Sequence, residues 1–256
     1  MTTITRHTGR GGSRYYLVEG DDALAGVQLP NVTSITNVLD KPALVGWAER
    51  MGIESLAKLV LDFDEENTDG TPFKGAVMAG LMEDAKGATR RIKDDAADIG
   101  TETHGIIENI LTGGVPVAVP SALKSVIDSF TNWFSQSGIE SIELAETMVY
   151  SAKHKYAGTI DVVARMQDGS LAIIDWKTSN GLYKETALQL AAYGVAYTEQ
   201  YPQLKDPQLL AVRLGKDYPA FEVKEVTNPM ECFHGFLACM GIRQWHQDMR
   251  ETEWNK

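Results

Sequence analysis

Between residues 143 and 179 the chain carries three β-type runs in close succession, "ELAETMVYS", "YAGTIDVVARM" and "LAIIDWKTS". β-Branched and aromatic side chains crowd a helix but pack well on a pleated surface, so each run favours a strand. The connectors are only a few residues long. Parallel neighbours need a crossover of about a dozen residues, so these three runs must pair antiparallel. Asp168-Gly169, between the second and third, is a strong hairpin dipeptide.

The flanks decide the rest of the architecture. Residues 1–30 read as an arm with a short strand or two. Pro42 then suits the first turn of a helix, and Leu44, Trp47, Ala48, Ile53, Ala57 and Leu61 follow at helical spacing. The polar break "DEENTDGTPFKG" separates this helix from a second, from about Ala76 to Leu111, and "PSALKSVIDSFTNWFSQSG" predicts a third. After the three strands, "KETALQLAAYGVAYTEQYP" predicts a helix with Leu188, Ala192 and Val195 on its apolar stripe. "PQLLAVRLGKDYPAFEVKEV" reads as a further hairpin, and residues 228–253 as a closing helix. Helices, antiparallel strands, a helix, more strands and a helix make an α+β fold, a mixed β-sheet flanked by helices with an N-terminal helical extension. The expected division is residues 1–95, an arm and helical region packed on the core, and residues 96–256, the core itself.

The third strand poses a chemical problem. "LAIID" is an apolar run suited to burial, yet it ends in Asp175-Trp176-Lys177. Alternation puts Asp175 and Lys177 on one face about 6.5–7 Å apart and turns Trp176 to the other. A lone D-x-K is most simply a structural ion pair. The neighbouring strands add two more acids, Asp161 in "AGTID" and Glu146 in "AETMVYS", chosen over Glu143 because it begins the strand alternation. Three carboxylates gathered at one sheet end raise each other's pKa, and a divalent cation resolves that conflict. Oxygen ligands suit magnesium, which keeps waters and serves phosphoryl chemistry.

The ordered series "GTETH" (100–104), Glu146, "AGTID", "IIDWKTS" and Gln189-x-x-x-Tyr193 resembles the PD-(D/E)xK nuclease superfamily, most closely its RecB-like branch with many phage exonucleases. The resemblance covers roughly residues 95–200, and "LPNVTSITNVLDKPALVGWAER" is also similar to phage members. It implies a restriction-endonuclease-like core. It further implies that Asp161 and Asp175 are the primary metal ligands, joined by the backbone carbonyl of Trp176 and completed by His104. Glu146 would bind the metal or its water, and Lys177 would orient the attacking water or stabilise charge on the phosphorane. Gln189 and Tyr193, on one helix face, would hold Lys177 or a phosphate. An imidazole ligand suits manganese at least as well as magnesium. Ile160 stands where the motif's name has proline, a position that supplies no ligand. Some relatives carry four cysteines for an iron–sulfur cluster; this chain has two, so no cluster is expected.

Those two, Cys232 and Cys239, sit on one face of the closing helix and read as core residues. The net charge of −11 argues against a protein that simply coats nucleic acid, but it permits an enzyme with a local basic groove. The basic runs are "RHTGRGGSRYY", read as a solvated surface or tail, and "KGATRRIK", whose Arg90, Arg91 and Lys93 are the candidate nucleic-acid contacts. No run approaches the roughly 18 apolar residues of a membrane span, and the polar N-terminus is unlike a signal peptide. The expectation is a cytoplasmic, magnesium- or manganese-dependent DNA exonuclease, acting on single-stranded DNA or free ends in a bacterial or phage-infected cell. It would work in recombination, replication or repair, with a helicase or recombinase as possible partner. The alternatives are a structure-specific endonuclease with the same centre and a non-catalytic DNA-binding module on a decayed nuclease fold.

Overall fold

The computed structural model describes residues 2–9, 14–39, 42–66, 75–115, 117–204 and 206–250. The chain forms two compact units, one of residues 1–39 with 103–256 and the other of residues 40–102.

The first unit is built on a five-stranded mixed sheet of β4 (Ile139–Ser151), β5 (Tyr156–Met166), β6 (Leu171–Lys177), β7 (Gln208–Leu214) and β8 (Phe221–Glu225). β4, β5 and β6 pair antiparallel as the short connectors require. The β5–β6 turn is closed by Gly169 at φ 82° and by Asp168 Oδ1, which accepts from the Ser170 N–H at 2.9 Å. α5 (Lys184–Gln200) then crosses over the sheet, so β7 pairs parallel to β6, and β8 returns antiparallel.

Alternation along β6 assigns the two faces. Trp176 is 2% exposed and meets Phe130 and Trp133 of α4 (Lys124–Phe134) edge-on, with ring centroids 5.5 and 5.0 Å away. Ile173, Val163, Leu209 and Ala211 take the opposite face, under Leu190, Ala191 and Ala196 of α5 and Phe233 and Phe236 of α6 (Pro229–Arg250). α5 was expected to bury a single stripe. Instead Thr186, Gln189, the run Leu190–Gly194, Ala196 and Tyr197 are all buried, because the helix lies between the sheet, α6 and a short helix α1 (Val32–Thr36). A helix enclosed on several sides cannot keep a polar face. Cys239 is buried and Cys232 half-buried, both in this core and both free.

The N-terminal residues are more ordered than an arm. β1 (Thr3–Thr8), β2 (Arg14–Glu19) and β3 (Leu29–Pro30) form a small antiparallel sheet. Its core of Tyr16, Val18, Leu24 and Leu29 closes on Ala157 of β5.

The second unit holds α2 (Pro42–Glu66) and the larger part of α3 (Gly75–Leu111). Ala85 and Ala88 are 6% exposed, whereas Ile53 and Leu61, which keep the helical spacing of α2, are 69% and 63% exposed. Among the described residues no helix is long and apolar enough to cross a membrane.

Candidate metal centre

Strand register gathers the acids. Ala145 opposes Val162 and Thr147 opposes Ile160, so Glu146 and Asp161 occupy matched positions on β4 and β5. The β5–β6 ladder ends at Val162–Ile174, and the next position in that register is Asp161 opposite Asp175. Three carboxylates therefore lie in one row across three neighbouring strands. Where the ladder stops, side chain replaces backbone: the Trp176 N–H donates to Asp161 Oδ2 at 2.8 Å. The row continues through Ala211 to Lys224, whose side chains line a cavity of about 310 Å³ beside the start of α5.

Glu146 is held at φ 44°, a left-handed conformation inside a strand. An L-residue there costs roughly 1–2 kcal/mol. Strain of this kind survives only where the surroundings impose it and clusters at functional sites.

His104 arrives from the C-terminal part of α3, followed by the buried Ile106 and Ile107. Its Nδ1 lies 3.5 Å from Glu146 Oε1 and 3.4 Å from Asp161 Oδ1. Ligand atoms of His104, Glu146 and Asp161 all fall within 4.8 Å of one another. On an ion bound at about 2.1 Å in octahedral geometry, adjacent donors are about 3 Å apart and opposite ones about 4.2 Å. The two separations from His104 lie in that range, and one imidazole with two carboxylates is a donor set that magnesium, manganese and similar divalent ions accept. The residues fit a divalent metal. Burial alone would depress the His104 pKa, but the Asp161 charge and hydrogen bonds to Asp161 and Glu146 outweigh it and raise the value to about 10. A proton on His104 thus balances the acids in the metal-free chain.

Asp175 is not in that close group. It is 3% exposed, and its Oδ2 is 2.5 Å from Lys177 Nζ. Burial pushes the Asp175 carboxyl up against the pull of Lys177, and the Asp161 charge adds to the rise. Burial pulls the Lys177 ammonium down, yet the carboxylates of Asp175 and Asp161 raise it overall. Lys177 is consequently a cation at neutral pH, suited to orient water or meet negative charge rather than to take a proton.

Among the residues expected at the site, Asp161 sits with the gathered ligand atoms and Asp175 stands beside them, held by Lys177. The Trp176 N–H donates to Asp161, while its carbonyl is the group that the resemblance implies as a ligand. Gln189 is 6% exposed and its Nε2 donates to Thr36 Oγ1 at 3.0 Å, not to Lys177. Tyr193 is raised by burial first and then by the fields of Asp175 and Asp161, against a hydrogen bond with Thr33, so it remains a phenol. Thr33 and Thr36 were missed, since "NVTSIT" was assigned no chemistry. Their spacing of three on α1 complements the spacing of four between Gln189 and Tyr193, a pattern visible only once the two helices are known to touch.

The basic run on α3 belongs to the unit of residues 40–102. There Arg90 Nε is 3.7 Å from Asp94 Oδ2, and an Arg91 guanidinium nitrogen donates to the Asp84 carbonyl at 2.9 Å. The Lys93 side chain lies outside the described residues.

With this geometry in hand, comparison with known families gives one match. The model of the PD-(D/E)XK nuclease superfamily covers residues 118–252, more than half of the 256-residue chain. No curated protein matches the sequence.

Proposed function

The chain belongs to the PD-(D/E)XK nuclease superfamily, and on that premise we propose that it is a magnesium- or manganese-dependent DNA exonuclease of the RecB-like, phage-exonuclease type. The family's chemistry is hydrolysis of phosphodiester bonds with divalent metals. The observation that carries the reading here is the acidic row, Glu146, Asp161 and Asp175 at matched positions on three strands, with His104 above it and Lys177 beside it.

In the reaction, the oxygen of a water bonds to phosphorus and the bond to the 3′-oxygen breaks, leaving a 5′-phosphate and a 3′-hydroxyl. A divalent cation held by His104, Glu146 and Asp161, with Asp175 alongside, would supply the charge that phosphoryl transfer requires. Lys177 places a fixed ammonium at the edge of the row, where it orients the water or faces the charge that develops on the phosphoryl oxygens. The Trp176 N–H fixes one oxygen of Asp161, leaving the other directed at His104. Tyr193 and Gln189 hold the wall of the site through Thr33 and Thr36 of α1. The cavity next to Ala211 provides room for part of a strand, and single-stranded or frayed ends are the proposed substrate. Recombination, replication or repair, with a helicase or recombinase partner, would be the setting.

The test is a time course on 5′- and 3′-labelled DNA, single- and double-stranded, linear and closed circular, in magnesium and in manganese. Wild type should release short products from linear DNA and spare circles, while Lys177→Ala should be at least about 100-fold slower, the loss typical of one charge-stabilising group. Cleavage of closed circles would make the enzyme an endonuclease. DNA binding without hydrolysis in either metal would make it a binding module.

A further inference from the structure

The basic run "RHTGRGGSRYY" is not a tail at its described ends, because residues 3–8 and 14–19 pair as β1 and β2. The register is Ile4 with Val18, Arg6 with Tyr16, and Thr8 with Arg14. Facing residues share a face, and alternation puts all six on one side of the hairpin. Tyr16 and Val18 are 1% and 3% exposed, so this is the side turned to the main sheet.

The contacts give the hairpin a direction. β2 pairs Tyr16 with Leu29 and Tyr15 with Pro30, and Asn31, next in that register and so opposite Arg14, bridges parallel to Ala157. The Tyr16 hydroxyl lies 3.0 Å from Thr159 Oγ1, and Asn31 Nδ2 donates to Tyr16 at 3.4 Å. Passing from Val18 to Tyr16 to Arg14 therefore runs in the direction in which β5 leads from Ala157 through Thr159 toward Asp161. Each two-residue step advances about 6.5–7 Å. Arg14 is carried toward the acidic row, and Arg6 lies diagonally across from it, about 7–8 Å away by alpha carbons.

Both arginines are exposed, and among the described residues neither makes an ion pair or side-chain hydrogen bond. In a chain of net charge −11, acids are plentiful, yet among the described residues neither guanidinium is paired with one. Their strands are fixed on one side by Tyr16 and on the other by the His7–Tyr15 stack, with ring centroids 5.3 Å apart. Arginine's planar fork matches phosphate oxygens.

We propose that Arg6 and Arg14 bind neighbouring backbone phosphates of the nucleic-acid strand that leads into the acidic row. The proposal rests on the nuclease reading and adds a substrate-guiding surface on an element separate from the basic run of α3.

Binding of a fluorescent single-stranded oligonucleotide, measured by anisotropy in calcium between 50 and 200 mM salt (about the range over which counterion release is resolved), tests it. Arg6→Ala and Arg14→Ala should each weaken binding several-fold. Each should also flatten the plot of log K against log salt by about 0.7, the increment for one phosphate on a single strand. Arg6→Lys and Arg14→Lys should restore the slope. Lys153→Ala, on the exposed β4–β5 turn, should keep the wild-type slope. A wild-type slope in the Arg6→Ala/Arg14→Ala double variant, or an equal change in Lys153→Ala, overturns the proposal while normal DNA cleavage leaves the nuclease reading intact. Wild-type protein that neither binds nor cleaves DNA overturns both.

Discussion

His104 shows how one residue can stabilise the metal-free chain and still be a ligand. Its imidazolium is held between Glu146 and Asp161, with a pKa of about 10 against an ordinary 6.5. Since the folded value is raised, this contribution to metal-free stability is full below about pH 6.5 and is lost as pH rises through about 10. A ligating nitrogen must give up its proton, so metal binding near pH 8 should release close to one proton. Calorimetry of manganese binding in two buffers of different ionisation heat measures that number, and His104→Gln should bring it near zero. Glu146 offers a second test. Glu146→Gly removes a strained conformation but also one of the two acids that hold the His104 imidazolium. The two effects on metal-free stability oppose each other and should leave it within about 1 kcal/mol of wild type, while manganese binding weakens at least tenfold. Denaturant unfolding and a metal titration report stability and affinity separately, and a large change is expected only in affinity. The Asp175–Lys177 pair behaves differently. Asp175→Asn should leave stability unchanged or raised, because burial already disfavours this charge. Lys177→Met should cost about 1–3 kcal/mol by leaving the buried carboxylate uncompensated, less than for a fully enclosed pair.

At the scale of elements, the site depends on how α5 and α1 press on the sheet. At Gly158 of β5 a side chain from each helix comes close to the strand. A Cβ there would lie 2.5 Å from Tyr193 Cε1 and 3.1 Å from Val32 Cγ2. Gly158→Ala must therefore push the Tyr193 ring or bend β5, at a cost of about 1–3 kcal/mol by the usual range for overpacking. The same shift would disturb the Tyr193 contact with Thr33 and change the turnover number more than DNA affinity. Equal stability of Gly158→Ala and wild type in urea would show that α5 is not seated as tightly as its geometry indicates. The bend in β4 belongs to this scale too. Register shifts between Ile139 and Ser141 and between Ile142 and Leu144 mark extra residues in the strand. Such irregularities sharpen local twist and re-aim side chains, which suits a strand that must deliver Glu146 to His104.

For the whole molecule, residues 1–39 belong with 103–256 and supply Tyr16, Val18, Leu24, Leu29, Val32 and Ile35, all at most 3% exposed. A chain beginning at residue 40 would uncover the apolar surface they protect. It should bind an apolar dye and lose near-ultraviolet dichroism, whereas a cooperative melt equal to the parent's would show those residues to be dispensable. Much of this molecule was legible in the sequence, since strand alternation, hairpin dipeptides and helix periods are local properties. They determined an α+β fold with a mixed sheet, and they set Asp161, Asp175 and Lys177 on strands of known face. What local pattern could not convey was which partners each side chain meets across the fold. The separation of Asp175 from the close group of His104, Glu146 and Asp161, the hold of α1 on Gln189 and Tyr193, and the folding of a basic "tail" into a hairpin over β5 were decided by register and packing. Those contacts join residues far apart in the chain, 153 positions for Thr36 and Gln189. A sequence fixes the period of its own segments; only closure of the chain into a core determines which segments become neighbours.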